Sequence, residues 1–296
     1  MKISVIIPTY KREVFLRKCL KSLECQTRKA DEVIVVLRKE DIESRKIARQ
    51  FDAKIALVEK PGIIPAVECG LHHAQGDVVC YIDDDAIALK DWIERIEKHF
   101  QKPSIGAVCG PVIPLINSKP LLRFVKKAFR ISWWGWITHN SQFITRKMQY
   151  VQCFRQCNAA FRRKLIKELD QNLLGDHCRL EVDAALKILN KRYKIICDPK
   201  IQVYHYIAPR KDDFKRIDDS SRIYSVNFNH GYVLYKNFSP LRRLAFFLFT
   251  FLIGDFENRG MLMFLKDLVL HPEKSTNFAI ELRGRLDGIK LAKNLS

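Results

Sequence analysis

Over the first hundred residues, short apolar runs alternate with stretches in which apolar side chains recur every three or four positions. Residues 3–7, 33–37, 54–58 and 77–82 have the length and composition of strands. Phe15, Leu16, Cys19, Leu20 and Leu23 recur at helical spacing; Ile42, Ile47 and Phe51 suggest a second helix, and Ala66, Cys69, Gly70 and His73 a third. Strands that alternate with helices predict an α/β fold with a parallel sheet, because parallel neighbours need helical crossovers. Ligands of such sheets bind at the carboxyl ends of the strands. Pro8-Thr9-Tyr10 and Asp83-Asp84-Asp85 both fall there.

The three aspartates close the apolar run Val78-Val79-Cys80-Tyr81-Ile82, where carboxylates do nothing for a strand. Their mutual repulsion and desolvation both raise the energy, so the cluster points to a cation, and through it to phosphate. The overall charge agrees with an anionic partner. Lys and Arg number 52 against 33 Asp and Glu, a net +19, which suits nucleotide phosphates, nucleic acid or an acidic membrane surface. No nucleic-acid motif accompanies it. With 47% hydrophobic and 29% charged residues, the 296-residue chain reads as folded, with one large domain or a domain and an appendage.

Nine cysteines, an odd number without a Cys-x-x-Cys pair, read as reduced and mostly buried thiols of a cytosolic protein. Cys153 and Cys157 are four apart, but no second Cys/His pair of zinc spacing joins them, which argues against zinc. The middle of the chain breaks the alternation with Pro111, Pro114 and Pro120, then gathers Trp133, Trp134 and Trp136 within four residues. Those tryptophans are either core or a wall on which sugars stack. Beyond them come residues 157–163, a helix around 181–190, and then residues 193–197 and 201–205.

In this order the segments resemble the inverting glycosyltransferases of family 2, which have a GT-A fold: a Rossmann-like mixed sheet flanked by helices. Ser4-Val5-Ile6-Ile7-Pro8-Thr9-Tyr10 looks like the family's opening strand and turn, and Tyr81-Ile82-Asp83-Asp84-Asp85 like its Asp-x-Asp motif. Asn158-Ala159-Ala160-Phe161-Arg162-Arg163 is similar to its acceptor-side strand entering a helix, Glu181-Val182-Asp183 with Tyr193 and Asp198-Pro199 to the helix that carries the base and the strand after it, and Val203-Tyr204-His205 to the segment that supplies the last metal ligand.

The resemblance covers about residues 1–210 and implies a GT-A domain over 1–211 with a helical region over 212–296. It implies a metal-dependent enzyme that moves a sugar from a nucleotide-diphosphate donor, UDP being the expected nucleotide, to a glycan or lipid-linked acceptor in surface polysaccharide synthesis. Pro8, Thr9, Tyr10, Arg12, Arg38, Asp83 and Asp84 would hold the donor, with Asp83 on the ribose. Asp85 and His205 would hold Mn²⁺ or Mg²⁺, Asn158 and Trp134 would face the acceptor, and Glu181 would be the base. A cation with oxygen ligands stabilises charge on a pyrophosphate leaving group, and inversion needs a carboxylate opposite it. Asp183, two residues on, lies roughly 200° around the helix from Glu181. Asp176 is a further candidate.

Two departures bear on the donor. Leu37-Arg38-Lys39-Glu40 stands where many members have an aspartate pair that reads the base, and Val67-Glu68 where an Arg-Asn pair is usual. Phosphate neutralisation then falls to Lys11, Arg12, Arg155 or Arg210. A nucleotidyltransferase would need a glycine-rich loop after the first strand, which Pro8-Thr9-Tyr10-Lys11-Arg12 lacks. A basic membrane-surface protein on a GT-A scaffold without catalysis is the alternative reading. The apolar stretch within residues 241–254, flanked by Arg242 and Arg243, is too short to span a bilayer, which needs about 20 residues. It reads as a buried hairpin or an interfacial anchor, placing the protein in the cytoplasm at the inner membrane face.

Overall fold

The computed structural model describes residues 1–138, 140–175, 179–209, 219–254, 259–271 and 277–295. Asp176 and Arg210, named above as possible base and phosphate partner, lie outside the described residues. The first 100 residues build β1 (Ile3–Pro8), α1 (Glu13–Glu24), β2 (Glu32–Leu37), α2 (Ile42–Gln50), β3 (Lys54–Leu57), α3 (Ile63–His73), β4 (Val78–Ile82), β5 (Ala86–Ala88) and α4 (Trp92–Phe100). β1 pairs in parallel with β2 and β4, and β2 with β3, as the alternation predicts. Ile3, Val5, Ile6 and Ile7 are wholly buried, as are Val78, Val79, Cys80 and Ile82. Full burial stabilises each Val or Ile by about 1.5–3 kcal/mol, ample to fix strands made of such residues.

Helix boundaries and faces differ in detail from the sequence pattern. α1 buries Leu16, Cys19, Leu20 and Leu23. Phe51 caps α2 from outside it, and Ile42 is exposed. α3 buries Ile64, Val67, Gly70 and Leu71; of the stripe through Ala66, Cys69, Gly70 and His73 only Gly70 is buried, because Ala66 and Cys69 are half-buried and His73 is exposed.

β6 (Ile105–Cys109) and β7 (Val112–Ile116) follow, then β8 (Gln149–Val151), β9 (Asn158–Arg162), β10 (Lys194–Cys197) and β11 (Val203–His205). The main sheet has eight strands in the order β8-β10-β6-β9-β4-β1-β2-β3. β9 runs antiparallel between β4 and β6, so the sheet is mixed. A smaller sheet places β11 between β5 and β7. A short 3₁₀ turn, Arg163–Leu165, follows β9 where a helix was expected.

Asn158, expected to face an acceptor, is instead a brace. It is wholly buried; its amide donates to the Pro111 and Ile201 carbonyls and its oxygen accepts from Trp92 Nε1 at 2.8 Å. Beside it, a Cβ on Gly110 would stand 1.7 Å from the Ile201 carbonyl oxygen, so only glycine lets the main sheet and β11 approach this closely.

The chain divides into two compact units. The first comprises Met1–Phe129, His139–Leu169 and Ala184–Asp213 and holds both sheets; the second comprises Arg130–Thr138, Asp170–Asp183 and Phe214–Ser296. α5 (Leu180–Asn190) begins in the second and continues into the first. The second unit is built on α6 (Asp219–Asn237) and α9 (Phe278–Asn294), with α7 (Pro240–Leu252) and α8 (Met261–Leu270) between them in sequence. α6 and α9 meet through glycine: a Cβ on Gly288 would lie 2.2 Å from the Phe228 carbonyl oxygen. No helix among the described residues is long and apolar enough to cross a membrane.

Candidate active site

Asp83, Asp84 and Asp85 leave β4 in succession, and each meets different partners. Asp84 is buried and accepts from Thr9 Oγ1 at 2.7 Å and from Arg12 Nη1 at 2.9 Å. Burial outweighs the attraction of Arg12 and lifts its carboxyl to about 6. Asp85, also buried, accepts from the Ala208 N–H at 2.8 Å and stands 3.0 Å from His205 Nε2 and 3.5 Å from Arg12 Nη1. Burial disfavours its charge, but His205, the Ala208 N–H and Arg12 together hold it below the usual carboxylate range. Asp83 is the most open of the three, with Oδ2 3.5 Å from His205 Nε2.

His205 reaches this cluster because β11 pairs antiparallel with β5, setting His205 opposite Ala86, one residue beyond the aspartates. Burial opposes its charged form, yet hydrogen bonds to Asp83 and Asp85 prevail and raise it to about 9. Near neutral pH the imidazolium and Arg12 therefore occupy the place of a cation among the carboxylates. Two carboxylates and an imidazole on one side of the strand end are a donor set that suits Mn²⁺, and the crowding they tolerate is what a cation would relieve.

Arg12 was expected to neutralise phosphate. Its guanidinium instead binds the aspartates and donates to the Ala208 and Pro209 carbonyls, at 3.0 and 3.2 Å, closing the 206–209 segment over β1's end. Tyr10 and Arg38 sit together at the ends of the paired strands β1 and β2, the guanidinium 4.8 Å from the ring centre. Arg38 also bridges Glu40 at 2.6 Å, and its Nε is buried without a hydrogen-bond partner among the described residues. Lys11 Nζ lies 5.0 Å from the same ring. Pro8 ends β1, half-buried, and Arg155 is exposed.

Sequence spacing missed Cys157. Its thiol, with a carboxylate oxygen of Asp83 and a ring nitrogen of His205, forms a group whose ligand atoms all lie within 4.8 Å of one another. The signal was the pairing of Asn158 with Ile82, which puts Cys157 beside Asp83, and that pairing is invisible in one strand's sequence.

In the second unit, Glu181 is half-buried in the first turn of α5, whereas Asp183 is 1% exposed. Asp183 accepts from Asn237 Nδ2 at 2.9 Å and lies 3.4 Å from Lys236 Nζ; Lys236 also bonds Asp170, which accepts from Tyr232. The two acids thus take opposite sides of the helix. Trp133, Trp134 and Trp136 are 50%, 43% and 47% exposed, so they are not core. The Trp134 ring lies 6.0 Å from Phe249 of α7.

The fold is of the GT-A type. It matches S. aureus TarS 1–349 in complex with UDP-GlcNAc at TM-score 0.62 and 14% identity over 99% of this chain and 91% of that one. It also matches the mannosyltransferase PcManGT from Pyrobaculum calidifontis in complex with GDP-Man and Mn²⁺, at TM-score 0.55 and 19% identity over 97% and 87%. In sequence it is 35% identical to the glycosyltransferase GlyA of Streptococcus pneumoniae over 42% of this chain, a stretch that spans 18% of GlyA. It is 26% identical to the O-antigen chain rhamnosyltransferase RfbN of Salmonella typhimurium over 74% of this chain and 71% of RfbN. The glycosyl transferase family 2 model matches residues 4–170, more than half of the sequence, and the chain belongs to that family.

Proposed function

We propose that this protein transfers a sugar from a nucleotide diphosphate to a glycan or lipid-linked acceptor, with inversion at the anomeric carbon, in the synthesis of a cell-surface polysaccharide. The observation that carries the proposal is the convergence of Asp83, Asp85 and His205 at the carboxyl end of β4. Asp85 and His205, with Asp83 beside them, would hold Mn²⁺ or Mg²⁺, which supplies positive charge against the diphosphate as it leaves. Tyr10 offers its ring to the nucleotide base, with Arg38 at its side for base or phosphate. Asp83 accepts from the ribose. Thr9 and Arg12 fix Asp84 and Asp85, and so the shape of the cradle, rather than touching phosphate themselves. Glu181 takes the proton from the acceptor hydroxyl as it attacks. Asp183 is committed to Lys236 and Asn237, which favours Glu181 as the base.

Calorimetric titration of UDP, GDP and dTDP, each with and without Mn²⁺, tests this directly. One nucleotide is expected to bind, and only with the metal; UDP is favoured. If none binds under either condition, the donor site does not exist and the scaffold serves binding alone.

The acceptor side supports a lipid-linked substrate at the inner membrane face. In the second unit α7 exposes Leu241, Leu244, Phe247, Leu248 and Leu252, and α8 exposes Met261, Leu262, Leu265 and Leu268. Asp267 is the single acidic side chain among the described residues of these two helices, and it is buried 3.6 Å from Arg259. An apolar surface edged by half-exposed tryptophans and basic residues fits the headgroup region of an anionic bilayer. Trp134, half-exposed beside Phe249, is the residue of this surface that would stack on the acceptor's sugar. Leu244→Ser with Leu248→Ser is expected to weaken sedimentation with anionic vesicles at least about tenfold, since each buried leucine contributes roughly 1–3 kcal/mol. Unchanged sedimentation would remove the membrane from the proposal.

A further inference from the structure

The geometry points to Cys157 as a third protein ligand that turns the metal site toward borderline-soft divalent ions such as Zn²⁺ and Co²⁺. The inference rests on reading this cluster as a metal site, and it adds a residue and a metal preference to it. Antiparallel pairing of β9 with β4 aligns Asn158 with Ile82, so the next residues outward, Cys157 and Asp83, face each other across the strand ends. Asn158, locked by three hydrogen bonds, fixes the residue before it. β11 delivers His205 to the same place. Sulfur, carboxylate oxygen and imidazole nitrogen thereby come within 4.8 Å of one another, a spacing that one ion can bridge.

Each donor is also poised for the task. Asp83 and His205 keep part of their surface open, giving an ion an approach, while the thiol is buried behind them. Coordination replaces S–H by a metal–sulfur bond and releases one proton to solvent, with no change in oxidation state. Mg²⁺ gains little from sulfur, whereas Zn²⁺, Co²⁺ and Cd²⁺ gain much. Cys153, the other member of the four-residue pair, belongs to the buried core and is no part of this group.

The test is absorption spectroscopy of the full chain titrated with Co²⁺, without nucleotide, alongside calorimetry with Zn²⁺ and Mn²⁺. Wild type is expected to show a thiolate-to-cobalt charge-transfer band in the near ultraviolet that Cys157→Ser lacks. Cys25 and Cys69, the more accessible thiols among the described residues, contribute equally to both proteins. Zn²⁺ affinity is expected to fall at least about tenfold in Cys157→Ser, the lower end of what even outer-shell changes cost, while Mn²⁺ affinity moves little. Co²⁺ binding that His205→Ala abolishes, without a charge-transfer band in wild type, would overturn the role of Cys157 and leave the metal site standing. No binding of any of the three ions to wild type would overturn both. The wild-type band needs no variant, so misfolding of Cys157→Ser does not shelter the idea; Cys157→Ala serves as the second substitution.

Discussion

Glu181→Gln is expected to lower the turnover number by roughly 10²–10⁴-fold while leaving nucleotide affinity within about twofold, the range that loss of a positioned general base produces. Glutamine keeps the size and the helix propensity of glutamate, and the first turn of α5 has a second acid, Asp183, to complement its N-terminal dipole. The substitution removes the proton acceptor and little else. Asp183→Asn is the informative companion. Asp183 is buried against Asn237 and near Lys236, so its loss should appear in the melting temperature before it appears in turnover. Donor dissociation constants by calorimetry and transfer rates at saturating donor separate the two effects. Wild-type turnover in Glu181→Gln would refute the base assignment.

Asp85→Ala is expected to abolish metal-dependent nucleotide binding, lowering affinity about a hundredfold or more, since even outer-shell partners of a metal cost ten to a hundredfold. It should also destabilise the fold. Asp85 is 4% exposed and answers His205, the Ala208 N–H and Arg12 at once. Its removal leaves two cationic groups without one of their counter-charges, a loss on the order of 3 kcal/mol for a buried pair broken from one side. Asp83→Asn separates binding from folding, because Asp83 is partly open to solvent and asparagine keeps a side-chain oxygen that can accept from His205. The expected pattern is a lowered melting temperature only in Asp85→Ala and weakened nucleotide binding in both. Mn²⁺-dependent binding that survives both substitutions would place the cation elsewhere.

Much of the scaffold is legible in the chain because β1, β2 and β4 are written largely in β-branched residues. Ile3, Val5, Ile6, Ile7 and the run from Val78 to Ile82 have nowhere to go but the middle of a sheet, and helical spacing between them forces parallel neighbours. The aspartate triplet is equally legible, since like charges crowded at a strand end need a counter-charge whatever the fold. Helix faces were less so: in α3 the apolar residues are spread widely enough that two stripes fit, and contact with the sheet chose Ile64, Val67 and Leu71.

The site itself was decided by tertiary pairing. Thr9 and Asp84 are 75 positions apart, and Asp85 and Ala208 are 123 apart. Arg12 reads as a phosphate ligand from its place after the first turn, but the folded chain sets two carboxylates and two carbonyls around it, and these outcompete that role. Asn158 reads, by resemblance, as an acceptor-side residue, yet three segments converge on it and satisfy it internally. Cys157 means nothing until β9 lies antiparallel to β4. Period and composition determine which residues of an element are buried, because burial along one helix or strand is a local property. Which elements become neighbours depends on strand order and register, and those are set only when all the apolar faces are covered at once.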